Sequence, residues 1–127
     1  MKKLGVNLIL LTALCSVVAD SYAVRSYITG ASITQVRVYG DGRFGECTAV
    51  LNVNVNNDGD QSLTCGKASQ VSFDCLGDRG TSRSTAQNAF NIAQLAYVTG
   101  KVIDLYVDDT DQLSGSMCFS NFIVARD

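Results

Sequence analysis

The chain contains no histidine. This absence removes the side chain that most often acts as a general base, as the partner of a nucleophilic serine or cysteine, and as a zinc ligand. Carboxylates remain as candidates for acid–base chemistry, and Asp108, Asp109 and Asp111 are clustered. Such a cluster can also bind a hard cation, but it is more typical of a solvated turn between two strands. We therefore predict a protein that is not an enzyme and that uses neither a cofactor nor a metal.

Two glycine-containing motifs match known ligand sites only in part. Residues 40–45 (GDGRFG) fit the G-x-G-x-x-G pattern, yet they precede a strand pattern where a dinucleotide site requires a helix. Residues 54–59 resemble the start of an EF-hand loop, but Cys65 stands where a bidentate glutamate is needed. The first motif predicts a hairpin loop, and neither predicts a bound ligand.

An N-terminal secretory signal is expected over residues 1–23. Lys2 and Lys3 precede a short apolar run, and small residues stand at the two positions that a signal peptidase recognises. Residues 24–127 then form one domain of a secreted protein, exported through the periplasm. Without the signal the chain keeps 8 basic and 11 acidic residues, a net charge of −3. A mildly acidic surface argues against nucleic acid as a partner.

Four cysteines remain after the expected signal is removed: Cys47, Cys65, Cys75 and Cys118. They lack the CxxC pairs that are typical of zinc sites. An even number of cysteines in a small exported domain predicts two disulfides, for which three connectivities are possible.

Hydrophobic periodicity predicts five strands, with one helix between the third and the fourth. The clearest alternation lies at residues 47–55, where asparagines alternate with apolar residues. Ser84 or Thr85 is expected to cap the helix, and Gly100 to end it in the left-handed conformation. The predicted strands are 32–39, 47–55, 71–75, 103–107 and 118–125, with a polar loop at 108–115 and a possible extra strand around Leu63.

This element order, β-β-β-α-β-β, is that of the OB-fold, a five-stranded Greek-key barrel with one helix. We therefore predict an all-β fold with one helix, although an open α+β sheet has the same order. Ile92 and Leu95 lie on a second apolar flank of the helix. They either contact a neighbouring subunit or are incidental surface residues.

Three short segments resemble one protein family. Residues 29–35 (TGASITQ) are similar to its Ser-Gly-x-x-Ile-Thr-Gln stretch, and residues 97–106 (YVTGKVIDLY) to its Tyr-x-Thr-Gly-x-x-Val-x-Ile-Tyr junction. Residues 120–124 (SNFIV) resemble its last strand. The family comprises the receptor-binding B subunits of the subtilase cytotoxin and typhoid toxin group of pertussis-like AB toxins.

The resemblance implies an OB-fold subunit that forms a homopentameric ring around a pore lined by the helices. Such a ring binds sialylated or related glycans on host cells and delivers a catalytic A subunit. The resemblance also implies a disulfide between Cys47 and Cys75, and with it one between Cys65 and Cys118.

The glycan-binding residues that the resemblance suggests centre on Thr29. This position matches a serine that holds the sialic acid carboxylate in the family, and Ser32, Arg37 and Tyr106 are expected nearby. Ile92 and Leu95 would lie at the subunit interface.

The alternative is an exported OB-like protein with a structural or inhibitory role that binds a protein partner. Thr29 and Tyr106 would then be ordinary strand residues, and Ile92 and Leu95 would pack locally. A carboxylate enzyme is a third, weaker reading.

Overall fold

A computed structural model describes residues 24–79, 81–113 and 116–127, without the side chains of Asp111 and Leu113. The expected signal at residues 1–23 lies outside this part. The described residues form six strands in one sheet and one α-helix, which confirms a mostly-β fold with a helix. The elements are β1 (Arg25–Ala31), β2 (Ile33–Val38), a 3-10 turn (Arg43–Gly45), β3 (Cys47–Leu51), β4 (Gln70–Ser72), α1 (Arg83–Thr99), β5 (Val102–Leu113) and β6 (Met117–Arg126).

The sheet has the strand order β1-β5-β6-β4-β3-β2. Four of the neighbouring pairs are antiparallel, and β4 runs parallel to β6. Only Ser32 separates β1 from β2, so the first and last strands of the order belong to one continuous segment. The Ser32 N–H donates to Asn52 Oδ1 over 2.7 Å, and its carbonyl accepts from the Asn52 N–H over 3.0 Å. These bonds fix the point where the segment passes from one partner strand to the other.

Several predicted strand boundaries are wrong. β1 was not predicted as a separate strand, because Gly30 interrupts it with a φ of 69°. β3 ends at Leu51, since Asn52 turns to bond Ser32, and β4 ends before Asp74, which has a φ of 55°. The extra strand around Leu63 does not form, although Leu63 is buried in the core.

The predicted polar loop at residues 108–115 is also wrong, because β5 continues to Leu113. The carboxylates at its start have partners inside the fold. Asp108 pairs with Arg25 at 3.6 Å, and Asp109 accepts hydrogen bonds from Val24 and Thr64. Strand pairing is therefore compatible with these acidic residues.

Helix α1 begins two or three residues earlier than the predicted caps Ser84 and Thr85. Ser82 is the N-cap, and its Oγ accepts from the Thr85 N–H over 3.2 Å. The predicted end at Gly100 is confirmed, with a φ of 69°. The Phe90 ring lies 6.0 Å from the Phe73 ring, between helix and sheet. The buried stripe of the helix consists of Ala86, Ala89, Phe90, Ala93 and Ala96.

The described residues form two disulfides, Cys47–Cys75 and Cys65–Cys118. Both have the pairing that the family resemblance implied, with Cα–Cα distances of 5.6 and 5.5 Å. Disulfides of this kind persist in non-reducing, extracellular-type environments. In the described part of the chain, no helix combines the length and apolar character needed to cross a membrane.

Candidate functional site

Three aromatic side chains form a row across β1, β5 and β6. Tyr27 lies opposite Tyr106, which lies opposite Phe122, and the ring centroids are 4.6 and 5.4 Å apart. Tyr106 is 37% exposed and Phe122 is 40% exposed, whereas Tyr27 is half-buried. We call these residues the aromatic row. It offers a largely apolar surface on the outer face of the sheet.

A short segment of the loop between β3 and β4 lies against β1 and holds Tyr27. The Tyr27 N–H donates to Asp60 Oδ1 over 2.6 Å, and its carbonyl accepts from the Asp60 N–H over 3.2 Å. Gly59 packs so closely on β1 that a Cβ there would lie 2.0 Å from Ser26 Oγ. We call residues 58–61 the strap. It satisfies the Tyr27 backbone groups and so fixes the position of the ring.

A nearly buried carboxylate, Asp104, connects the row to its neighbours. It accepts hydrogen bonds from the Gly30 N–H over 2.8 Å and the Tyr27 hydroxyl over 3.5 Å. It also pairs with Arg126 Nη2 at 3.0 Å. Partial burial raises the pKa of Tyr27, and the negative charge of Asp104 raises it further. The Tyr27 phenol is therefore kept in its protonated, hydrogen-bonding form.

A polar pocket of about 270 Å³ lies past the aromatic row, where Arg25 and Asp108 flank Tyr27 and Tyr106 along their strands. Thr81, from the segment before α1, and Asn121 also line it. The Asn121 side chain makes no hydrogen bond to any described residue, so its amide is available to a ligand. A pocket with a few convergent polar groups beside an apolar surface is typical of small-molecule sites.

Two of the four suggested glycan residues lie in or next to the aromatic row along the chain. Thr29 is exposed on β1, two residues after Tyr27, and Tyr106 belongs to the aromatic row. The Thr29 hydroxyl has no partner within the described residues. Ser32 lies at the junction of β1 and β2, where it bonds Asn52. Arg37 lies on β2 opposite Thr48 of β3, and its side chain donates to Gln35.

Sequence reasoning missed Tyr27, Phe122, Asp104 and Arg126. Tyr27 had a usable signal, since it stands two positions before Thr29 and therefore shares its face on a strand. Phe122 had no such signal, because four consecutive buried residues, 117–120, interrupt the alternation of buried and exposed positions in β6. Asp104 and Arg126 are far apart in the chain, and only the β5–β6 register brings them together.

The two suggested interface residues differ in their surroundings. Ile92 is half-buried and packs against the hydrophobic core, whereas Leu95 is 56% exposed. Val98, one turn further on, is 75% exposed. Within residues 24–79, 81–113 and 116–127, no three His, Cys, Asp or Glu side chains are grouped so that they could hold a metal ion.

No protein-family model matches the chain, and comparisons with curated proteins and with solved structures give no significant match. The basis for assigning a function is therefore the chemistry of the aromatic row and of the polar groups around it.

Proposed function

We propose that the protein is a non-enzymatic, glycan-binding subunit of the type found as B subunits in AB toxins. The observation that carries the proposal is the exposed aromatic row of Tyr27, Tyr106 and Phe122. A sugar ring has an apolar face that packs on aromatic side chains and hydroxyl groups that need polar partners. The Thr29 hydroxyl and the polar pocket beside Arg25 lie along the same strands and supply such partners. The ligand class is a sialylated or related cell-surface glycan.

We further propose an OB-fold, counting β1 and β2 as one bent strand of a five-stranded barrel. Three features support this fold. The strand order starts on β1 and ends on β2, one neighbouring pair is parallel, and α1 lies between β4 and β5. OB-folds commonly bind oligosaccharides on the outer face of their sheet and on adjacent loops.

The proposal includes a secreted homopentameric ring that carries a catalytic A subunit. Between Arg83 and Lys101 the chain has no charged residue, so the exposed face of α1 is neutral. In a ring with rotational symmetry, the same residue of every copy approaches the axis, and like charges there would repel. The exposed Leu95 and Val98 add apolar area to this face. A neutral, partly apolar helix face therefore suits contact with a second copy of this chain.

The mass of the protein in solution tests the ring. We expect a pentamer for the wild type, and dissociation for Leu95→Glu and Val98→Glu, because each would place repelling carboxylates between copies. Ser84→Glu adds the same charge at the exposed start of the helix and serves as the control that keeps the ring. We also expect Ile92→Glu to dissociate the ring. Because Ile92 packs against the hydrophobic core, however, this variant would unfold as well. A monomeric wild type would contradict the ring.

Binding to 3′-sialyllactose tests the sugar site. We expect Tyr106→Ala to weaken binding at least tenfold, because tyrosine is enriched among the few contact residues whose truncation costs about 2 kcal/mol or more, and about 1.4 kcal/mol corresponds to a tenfold change in affinity. Thr29→Ala should weaken binding while leaving the oligomer intact. Thr34→Ala, an exposed threonine on β2, is the matched control. A wild-type protein that binds no sugar on a glycan array would refute the site.

The second candidate is an exported OB-like protein that binds a protein partner in a structural or inhibitory role. The exposed Leu95, Tyr97 and Val98 at the end of α1 favour it, because such apolar patches mark protein contacts. A wild type that is a monomer and binds no sugar, while keeping its fold, would select this candidate.

A further inference from the structure

We infer that Arg126 is the residue that selects an acidic sugar at this face, an inference that rests on the proposed function. Gly30 directly follows Thr29 and has a φ of 69°, which places a backbone irregularity in β1. A Cβ built at Gly30 would lie 3.7 Å from Arg126 Nη2. The guanidinium of Arg126 therefore lies against the chain at Gly30, the residue that follows the exposed Thr29.

Most of the hydrogen-bonding capacity of Arg126 is unused. A guanidinium has five N–H donors in a planar fork, and Arg126 has one partner in the described residues, the Asp104 carboxylate at 3.0 Å. Its side chain is half exposed, so the other donors are open to solvent. Arginine binds carboxylates by two parallel hydrogen bonds, a geometry that a single threonine hydroxyl cannot provide.

Asp104 acts as the positioning residue for this guanidinium. It is nine-tenths buried, and its bonds to the Gly30 N–H and the Tyr27 hydroxyl fix it in place. Because the carboxylate is fixed, the guanidinium that pairs with it is also held. The same carboxylate thus links Arg126 to the aromatic row, which is where the sugar ring would pack.

Charges on this face balance in pairs, Arg126 with Asp104 and Arg25 with Asp108. The long-range field on an anionic ligand is therefore small, and selection depends on short-range hydrogen bonds from Arg126. This distinguishes Arg126 from Arg37, which lies on β2 and donates to Gln35, away from Thr29.

The experiment compares three probes: 3′-sialyllactose, its methyl ester, which lacks the charge, and lactose. We expect the wild type to bind the acid at least tenfold more tightly than the ester. Arg126→Gln should lose this preference, because its affinity for the acid should fall about tenfold while its affinity for the ester stays unchanged. Arg126→Lys should keep part of the preference. Asp104→Asn should reduce the preference, because the guanidinium is released. Arg37→Gln is the matched control, and the thermal midpoint of each variant checks its folding.

Two outcomes would overturn the inference while the proposed function stands. In one, folded Arg126→Gln keeps the wild-type preference for the acid over the ester. In the other, folded Arg126→Gln binds the acid and the ester with equally reduced affinity, which would assign Arg126 a purely structural role. A folded wild type that binds none of the three probes would remove the proposed function, and the inference with it.

Discussion

Replacing Gly59 by alanine is expected to push the strap away from β1. A Cβ at Gly59 would lie 2.0 Å from Ser26 Oγ and 3.1 Å from Ser26 Cβ. Ser26 is fully buried, and its hydroxyl donates to Asp60 and accepts from the Gln61 N–H. The hydroxyl therefore cannot rotate away without breaking both bonds. Overpacking costs about 1–3 kcal/mol and a lost hydrogen bond about 1 kcal/mol, so we expect a loss of about 2–4 kcal/mol in the free energy of unfolding.

Chemical denaturation of Gly59→Ala beside Gly40→Ala measures this loss. Gly40 is the matched control, because a Cβ there meets nothing within 4 Å and its backbone is not in the left-handed region. Its replacement should change the free energy of unfolding by less than about 0.5 kcal/mol. Ser26→Ala removes the clashing oxygen, so the double variant Ser26→Ala/Gly59→Ala should be more stable than the sum of the single effects predicts, by about 1 kcal/mol.

The same variant links the strap to function. The strap holds the backbone of Tyr27 through Asp60, so a displaced strap should also weaken binding of 3′-sialyllactose. Gly40→Ala should bind normally. If Gly59→Ala were as stable as Gly40→Ala, the close packing of the strap on β1 would be refuted. If it were destabilised yet bound sugar normally, the strap would have no part in positioning Tyr27.

Two further predictions concern stability. Replacing both Cys65 and Cys118 by serine should lower the free energy of unfolding by about 4 kcal/mol, because the bond closes a loop with a sequence separation of 53 residues. Denaturation with and without reductant measures this loss. If reduction left the free energy of unfolding of the wild type unchanged, the prediction would be contradicted. The pKa of Tyr27 is raised above its ordinary value of 10.0, so its contribution to stability is complete below pH 10 and is lost as pH rises through the raised pKa. The thermal midpoint of Tyr27→Phe should therefore fall less at alkaline pH than that of the wild type. An equal fall in both proteins would contradict the raised pKa of Tyr27.

Sequence patterns predicted those strands and helices that are determined by neighbouring residues in the chain. The alternation from Cys47 to Leu51 gives a strand, and the alanine-rich stripe that ends at Gly100 gives the helix. Element ends were less predictable, because they depend on distant partners. Asn52 leaves β3 in order to bond Ser32, a residue 20 positions away. Several hydroxyl residues near the start of α1 are equally good caps by type, and only the fold selects Ser82.

The candidate site illustrates the same division. Thr29 and Tyr106 were suggested by the resemblance, and the register of β1 with β5 pairs Tyr106 with Tyr27, two residues before Thr29. The remaining members required the pairing of β5 with β6, since a shift of one residue would turn Phe122 inward. The register of β5 with β6 also shifts near Asp108, and no short sequence window contains this information.

The aromatic row and Asp104 are the features of this face that bear most on the proposed function. Single exposed aromatic residues are common on protein surfaces and need no function. Here three rings from three strands lie in contact, and the nearly buried Asp104 lies beside them although burying a carboxylate costs several kcal/mol. Asp104 accepts the Gly30 N–H, which an apolar side chain at this position could not do, and it also holds the Arg126 guanidinium beside the row. The proposed ligand, an acidic sugar, would use the aromatic surface and the anion-binding group together.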